Sequence, residues 1–461
     1  MAAAAGIFIA SYYFIRWLKN PTAKNLIVAG LIFGLAQLAK FSVFLLVPLF
    51  GFVALIWFLL KLQEEKNKAR RLNLVFWSCL WRYLGGAILL MAVGYVFIVW
   101  PVYLFHVSHY PIAKQQQDTQ FILSTFRVRP LADFIYWLAG VPILRALAQY
   151  GLGLAMVLQR ATGGNTVYFL GQISNLGSRL YFPTVYLIKE TLTLHILTSI
   201  ALVLAIIGFF KSKIYRFGNL LEFLTSHIAE FLMLCFIALY WFSSISSILN
   251  IGVRHILPTF SFIFLLVAAL SAGWLEKHLF CYLAFFQQKQ PLAKKIIPLG
   301  ILAVFSILIG WQMISVISVF PSFLAYFNEL AGGPAGGYRY VTDSNLDWGQ
   351  DLKRLAQWTQ KYNIGQIYVD YFGGAIPSYY LGNKYLPWWG SRSPQDLNEN
   401  GGWLAVSATF LQGGRGKLAP GFYDKNGYYN WLDKFKPVTT IGYSIFIYYI
   451  PPHAFDKTSI Q

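Results

Sequence analysis

The sequence predicts a polytopic α-helical membrane protein with a C-terminal extracytoplasmic α/β domain. Three observations predict it. The chain of 461 residues is 57% hydrophobic and only 12% charged, whereas a soluble domain carries about 25% charged residues. Apolar runs long enough to cross a bilayer, roughly 17–25 residues, recur along residues 1–320, and mean hydropathy is +0.52. From about residue 335 the pattern changes to short aromatic and β-branched runs bounded by glycine, as strands and turns require.

The apolar runs fall at about 2–16, 25–40, 42–61, 84–105, 183–210, 228–249, 256–274 and 296–319. Residues 1–320 therefore form a transmembrane domain with about eight spanning helices and a long outer loop at 106–182. If the loop KLQEEKNKARR (61–71) is cytoplasmic, alternation places sixteen basic residues inside, among them Lys61, Lys66, Lys68, Arg70, Arg71, Arg216 and Lys289. Only Lys40 and Arg254 fall in the two short outer loops. This asymmetry sets the orientation by the positive-inside rule. The net charge of +19 is accordingly a topology signal and not a nucleic-acid footprint. Cys79, Cys235 and Cys281 lie in the membrane or inside, so the outer regions hold neither a disulfide nor a thiolate metal cluster.

Within the long loop, ADFIYWLAGVPILRALAQYGLGLAMVLQ is apolar with Arg145 inside it, and predicts one or two helices lying along the outer membrane surface. The outer domain spans 335–455. In it GYRYVTDSN, IGQIYVDYFGG, GGWLAVSATFLQGG and TTIGYSIFIYYI are predicted strands. WGQDLKRLAQWTQKY is an amphipathic helix with Leu352, Leu355, Thr359 and Tyr362 on one face. Strands alternating with helical segments predict a largely parallel sheet. GGPAGG (332–337) reads as a hinge before this domain.

Ionisable residues at membrane depth are costly and have a partner. NIGVRHILP places Arg254 and His255 in a short outer turn; Lys40 stands at the outer end of another helix, and Lys189 with Glu190 just inside the one after the long loop. Guanidinium and ammonium groups gathered at the outer leaflet suit a lipid phosphate or pyrophosphate. The bland alternatives are snorkelling and a Lys189–Glu190 pair. For Arg254, the protein anions available as partners are Glu190 and Glu329.

DSNLDWGQD (343–351) resembles the start of a calcium loop, but Trp348 stands at the sixth position and Arg354 at the twelfth, where glycine and a bidentate glutamate belong. No metal site follows. A helix start is the better account, with Asp347 as N-cap and Gln350 three residues later. That leaves Asp343 and Asp370, each at the carboxyl end of a predicted strand, as ligand contacts. His106 and His109 have helical spacing but no third ligand in view, and read as interfacial histidines.

The stretches GLIFGLAQLAKFS, YFLGQISNLGSRLYFPTVYLIKETL, LNIGVRHILP, LAYFNELAGGP, YRYVTDSNLDWGQDLKRLAQW and WLAVSATFLQGG occur in order along nearly the whole chain. Together they resemble the bacterial GT-C fold membrane glycosyltransferases related to protein O-mannosyltransferases. The resemblance implies transfer of a sugar from a polyprenyl-phosphate donor to a lipid or protein acceptor outside the inner membrane. It also implies that Arg254 and His255 face the donor phosphate, with Lys40 and Lys189 near the same donor-binding cavity. In that family an acidic residue of the first outer loop is the catalytic base. This chain has no Asp or Glu before Glu64, and Gln172 stands where the family tends to have an acid. The expected base would lie upstream of Met1, so the chain looks truncated at its N-terminus. No cofactor is called for, and a divalent cation stays open. The second reading is an inactive relative serving as a structural subunit of a membrane complex. A transporter is disfavoured, since no pair of broken helices appears in matching halves.

Overall fold

The structure, a computed structural model, describes residues 1–66, 72–213, 217–286, 292–397 and 399–456. Lys68, Arg70, Arg71, Arg216 and Lys289, on which the orientation partly rests, lie outside the described residues. Among the described residues six helices are long and apolar enough to cross a membrane: Phe41–Glu65, Asn73–Val107, Leu192–Lys211, Ile228–Ser246, Leu257–Glu276 and Gly300–Ile317. Each coincides with an expected run. The first two runs form the helices Ala2–Lys19 and Ala23–Ala39, which fall short of that standard. The chain is built as a multi-pass membrane protein. It divides into two compact units: residues 1–163, 200–244 and 256–274, and residues 164–199, 245–255 and 275–461.

The first unit is helical. Its core gathers Phe14, Phe33, Phe50, Leu90, Phe236 and Phe262, all 2% exposed or less. One seam is set by glycine. A Cβ on Gly34 would lie 2.5 Å from the Gly94 carbonyl oxygen, and one on Gly94 would lie 2.6 Å from that of Gly30. Helices Ala23–Ala39 and Asn73–Val107 thus touch backbone to backbone through a GxxxG pair, a contact apolar lipid cannot replace. The stretch expected as one or two surface helices holds two, Arg129–Gly140 and Arg145–Gly163, and a further helix, Ile112–Ile122, precedes it in the same loop. Arg145 is 9% exposed. Its guanidinium donates to the carbonyls of Val107 (2.7 Å) and Tyr110 and to Gln115 Oε1 (3.0 Å), so its burial is compensated by acceptors.

The second unit carries the strands. β1 (Val167–Phe169) and β2 (Gln172–Ser174) form a hairpin, and β2 pairs in parallel with β6 (Lys417–Leu418). The main sheet contains β3 (Ile367–Asp370), β4 (Tyr385–Pro387), β5 (Gly402–Ser407), β7 (Thr439–Ile441) and β8 (Ile445–Ile450), ordered β4-β3-β5-β8-β7. β3 pairs in parallel with β4 and β5, while β8 runs antiparallel to β5 and β7. The sheet is mixed, not largely parallel, because TTIGYSIFIYYI folds as a hairpin turning at Gly442, where φ is +57°. Helix Leu352–Lys361 buries Leu352, Leu355 and Thr359 as its periodicity predicts, and Tyr362 stays 56% exposed just past its end.

Three further expectations are corrected. GYRYVTDSN is not a strand: Val341 makes one isolated bridge to Phe169, and the chain then coils at Asp343, whose φ is +53°. The run 183–210 is two helices, Tyr181–Lys189 and Leu192–Lys211. Asn328 Nδ2 donates to the carbonyls of Leu187 and Glu190 at 2.6 and 2.7 Å, satisfying acceptors that the break frees. GGPAGG is a packed turn, not a hinge. Gly336 and Gly337 are buried, and a Cβ on either would overlap Ala331 or the Phe327 ring.

Candidate functional site

The segment 343–351 is neither a metal loop nor a plain helix start. It is a buried knot in the second unit. Asn345 is fully buried, and each of its polar groups has a task. Its Oδ1 accepts from Val253 N at 2.9 Å, and its Nδ2 donates to Tyr181 Oη (2.9 Å) and the Thr342 carbonyl (3.2 Å). Its own carbonyl accepts from Lys189 Nζ at 2.6 Å. Ser344 Oγ adds a bond to the Ile251 carbonyl. The turn bearing Arg254 is thereby stapled to this segment. Gly252 permits the approach: its φ is +121°, and a Cβ there would fall 2.2 Å from Ser344 Oγ.

On this staple Arg254 projects outward. Its guanidinium lies over the Trp348 ring, 4.6 Å from the centroid, a cation–π geometry. Among the described residues it has no hydrogen bond or ion pair, and it is exposed. Neither acid expected as its partner serves it. Glu329 Oε1 accepts from Trp311 Nε1 at 3.0 Å, and Glu190 acts on Lys189 beside it. The carboxylate that feels Arg254 is Asp343, whose pKa burial raises while the Ser344 N–H and Arg254 hold it down.

Lys189 is placed differently from Arg254. Its ammonium donates to the carbonyls of Leu324 (2.8 Å) and Asn345 and sits 4.3 Å from the Phe327 ring centroid. It ties three segments of the unit together. His255 presents its ring 6.4 Å from that of Phe182, and its N–H donates to the Gly252 carbonyl. Lys40 belongs to the first unit, exposed between helix Ala23–Ala39 and the 3₁₀ turn Phe41–Leu45.

The expected cap at Asp347 is replaced by another arrangement. The helix begins at Leu352, because Gly349, at φ +75°, turns the chain first. Asp347 is fully buried; its Oδ1 accepts from Gly349 N at 3.0 Å, and its Oδ2 has no hydrogen-bond partner among the described residues. Burial pushes its pKa up to about 7, with the neighbouring Asp351 adding to the rise. Asp351, equally buried, is fully engaged by Arg354 (2.7 Å), Ser444 Oγ (2.7 Å) and Gln350 Nε2 (3.1 Å).

The two acids singled out by sequence, Asp343 and Asp370, line one cavity of about 480 Å³ within the second unit. Asp370 ends β3, as the strand-end rule places it. It is 8% exposed, its Oδ2 accepts from Tyr429 Oη, and burial raises its pKa to about 6. Tyr429 reaches it because residue 414 is glycine; a Cβ there would lie 2.7 Å from the tyrosine ring. Trp389, Phe410 and Tyr428 supply aromatic wall, and Asn426 and Lys425 polar rim. Sequence reasoning missed Asn345, Trp348 and these aromatics, whose roles depend on what lies opposite them. Among the described residues no three His, Cys, Asp or Glu side chains converge as a metal site. Comparison of the chain with protein-family models, with curated proteins and with solved structures returns no match.

Proposed function

We propose that this protein is a membrane glycosyltransferase that takes a sugar from a polyprenyl-phosphate donor and passes it to a lipid or protein acceptor on the extracytoplasmic side of the inner membrane. The second unit's sheet would then lie outside the membrane. One observation carries the reading: among the described residues Arg254, stacked on Trp348 and held by a buried staple, has no anion bonded to its guanidinium. A planar fork of donors with no protein acceptor is suited to phosphate oxygens, and the aromatic face fixes its orientation in advance. In such a transfer the acceptor hydroxyl attacks the anomeric carbon as the C–O bond to phosphate breaks, and its proton passes to the released phosphate or to solvent. Arg254 would bind the departing phosphate more strongly as its charge grows.

The test is binding of a polyprenyl-phosphate analogue to purified protein in nanodiscs. Arg254→Gln should weaken binding about tenfold or more, the scale of a lost charge-assisted hydrogen bond, and leave the thermal transition unchanged. Equal affinity for the two proteins would remove the reading.

A further inference from the structure

We propose that the cavity containing Asp370 is a carbohydrate site that takes a pyranose ring. Its volume, about 480 Å³, falls within the range of small-molecule sites, roughly 300–1,000 Å³. Its walls divide into two chemistries. Trp389 and Phe410 are 52% and 38% exposed, offering flat apolar faces toward the space. Against them stands Asp370, more than nine-tenths buried, with one carboxyl oxygen held by Tyr429 and the other without a hydrogen-bond partner among the described residues. That second oxygen is not among the fully buried unpaired atoms, so it opens onto the cavity, where a ligand hydroxyl can donate to it. Asp343 and the amide of Asn426 add further polar groups on the lining.

Elimination narrows the ligand. A phosphate or sulfate would meet Asp343, Asp370 and Asp424 against the single cation Lys425, and like charges repel at such distances. An acyl chain would leave the carboxylates unpaired. A metal ion lacks a third converging ligand among the described residues. A pyranose satisfies both walls: its hydroxyls donate to the carboxyl oxygens, while the C–H face lies on an aromatic ring. An amino sugar adds a cation that the acidic lining favours. Under the transferase reading this site would hold a glycan acceptor, but the pocket chemistry stands without that reading.

The experiment uses the full chain in nanodiscs free of glycoside detergent. Saturation-transfer NMR is run with methyl mannopyranoside, methyl galactopyranoside and methyl glucosaminide, and with trilysine and inorganic phosphate as non-sugar probes. At least one glycoside should bind in the millimolar range, with transfer strongest at ring C–H protons. Trp389→Ala and Asp370→Asn should each weaken that binding about tenfold. Trp389 is half exposed, so its truncation spares the fold should Asp370→Asn disturb it. Arg254→Gln should leave glycoside binding intact, which separates failure of this pocket from failure of the phosphate site. Absence of any glycoside signal, binding indifferent to the Trp389 variant, or displacement of the glycoside by trilysine would overturn the proposal.

Discussion

Replacing Asp347 with asparagine should stabilise the second unit at neutral pH and do almost nothing near pH 5. The carboxyl is fully buried, one oxygen has no partner, and burial moves its pKa from 3.8 to about 7. A carboxyl with a raised folded-state pKa holds its proton more tightly when folded. Its contribution is therefore complete below 3.8 and is lost progressively as the pH climbs to about 7. A shift of about three units corresponds to a ceiling of about 4 kcal/mol. Asparagine keeps the acceptor for Gly349 N and removes the charge, but leaves its NH₂ where Oδ2 has no partner, at about 1–3 kcal/mol. The net gain above pH 7.5 is then about 1–3 kcal/mol, or roughly 2–12 °C in melting temperature for a unit of this size. Scanning fluorimetry of the full chain in nanodiscs at pH 5 and pH 8 measures it. A Tm difference that is the same at both pH values refutes the buried-charge argument. So does destabilisation at pH 8 by about 0.5–2 kcal/mol, as a lost helix cap would give.

Two further outcomes follow from the same unit. Lys189→Met strips the donor from the carbonyls of Leu324 and Asn345 and should destabilise by about 2–4 kcal/mol, read as a lowered melting temperature. A variant that melts normally yet loses the phosphate analogue would make Lys189 a donor-binding group instead. Trp348→Ala removes the surface beneath Arg254 and should weaken binding of the analogue by about 0.5–2 kcal/mol, roughly 2- to 30-fold, without shifting the melt; unchanged affinity would show that the stacking contributes nothing.

How far the sequence revealed these features depends on whether a feature is local. The apolar runs needed only composition, so all eight are helical. IGQIYVD and GGWLAVS were legible as β3 and β5 because aromatic and β-branched residues stand between glycines. GYRYVTDSN was misread because its one bridge is to Phe169, far back in the chain, and because Asp343 adopts φ +53°, which no propensity announces. The cap assignment at Asp347 failed for a similar reason: Gly349 turns the backbone before a helix can start. Asp370 was singled out through a strand-end rule, and it does stand at the end of β3 on the cavity wall. Asp343 was found through the same rule although its strand does not exist, and it reaches the cavity by a coil. Asn345 gave no signal at all, since its importance lies in reaching Val253, Tyr181 and Lys189 together.

That staple also has a timetable. Val253 precedes Asn345 by 92 residues and Tyr181 precedes it by 164. At about 5–20 residues per second of synthesis, the Arg254 turn emerges about 5–20 s before the amide that fixes it. During that interval Val253 N–H lacks its acceptor and Tyr181 lacks its donor, and Lys189 lacks both of its carbonyls until Leu324 is made and one of them until Asn345 follows. The geometry of the Arg254 turn is therefore set late in biosynthesis, after the neighbouring helices are made. A ribosome stalled between residues 260 and 340 would hold a chain whose Arg254 turn is present but unset.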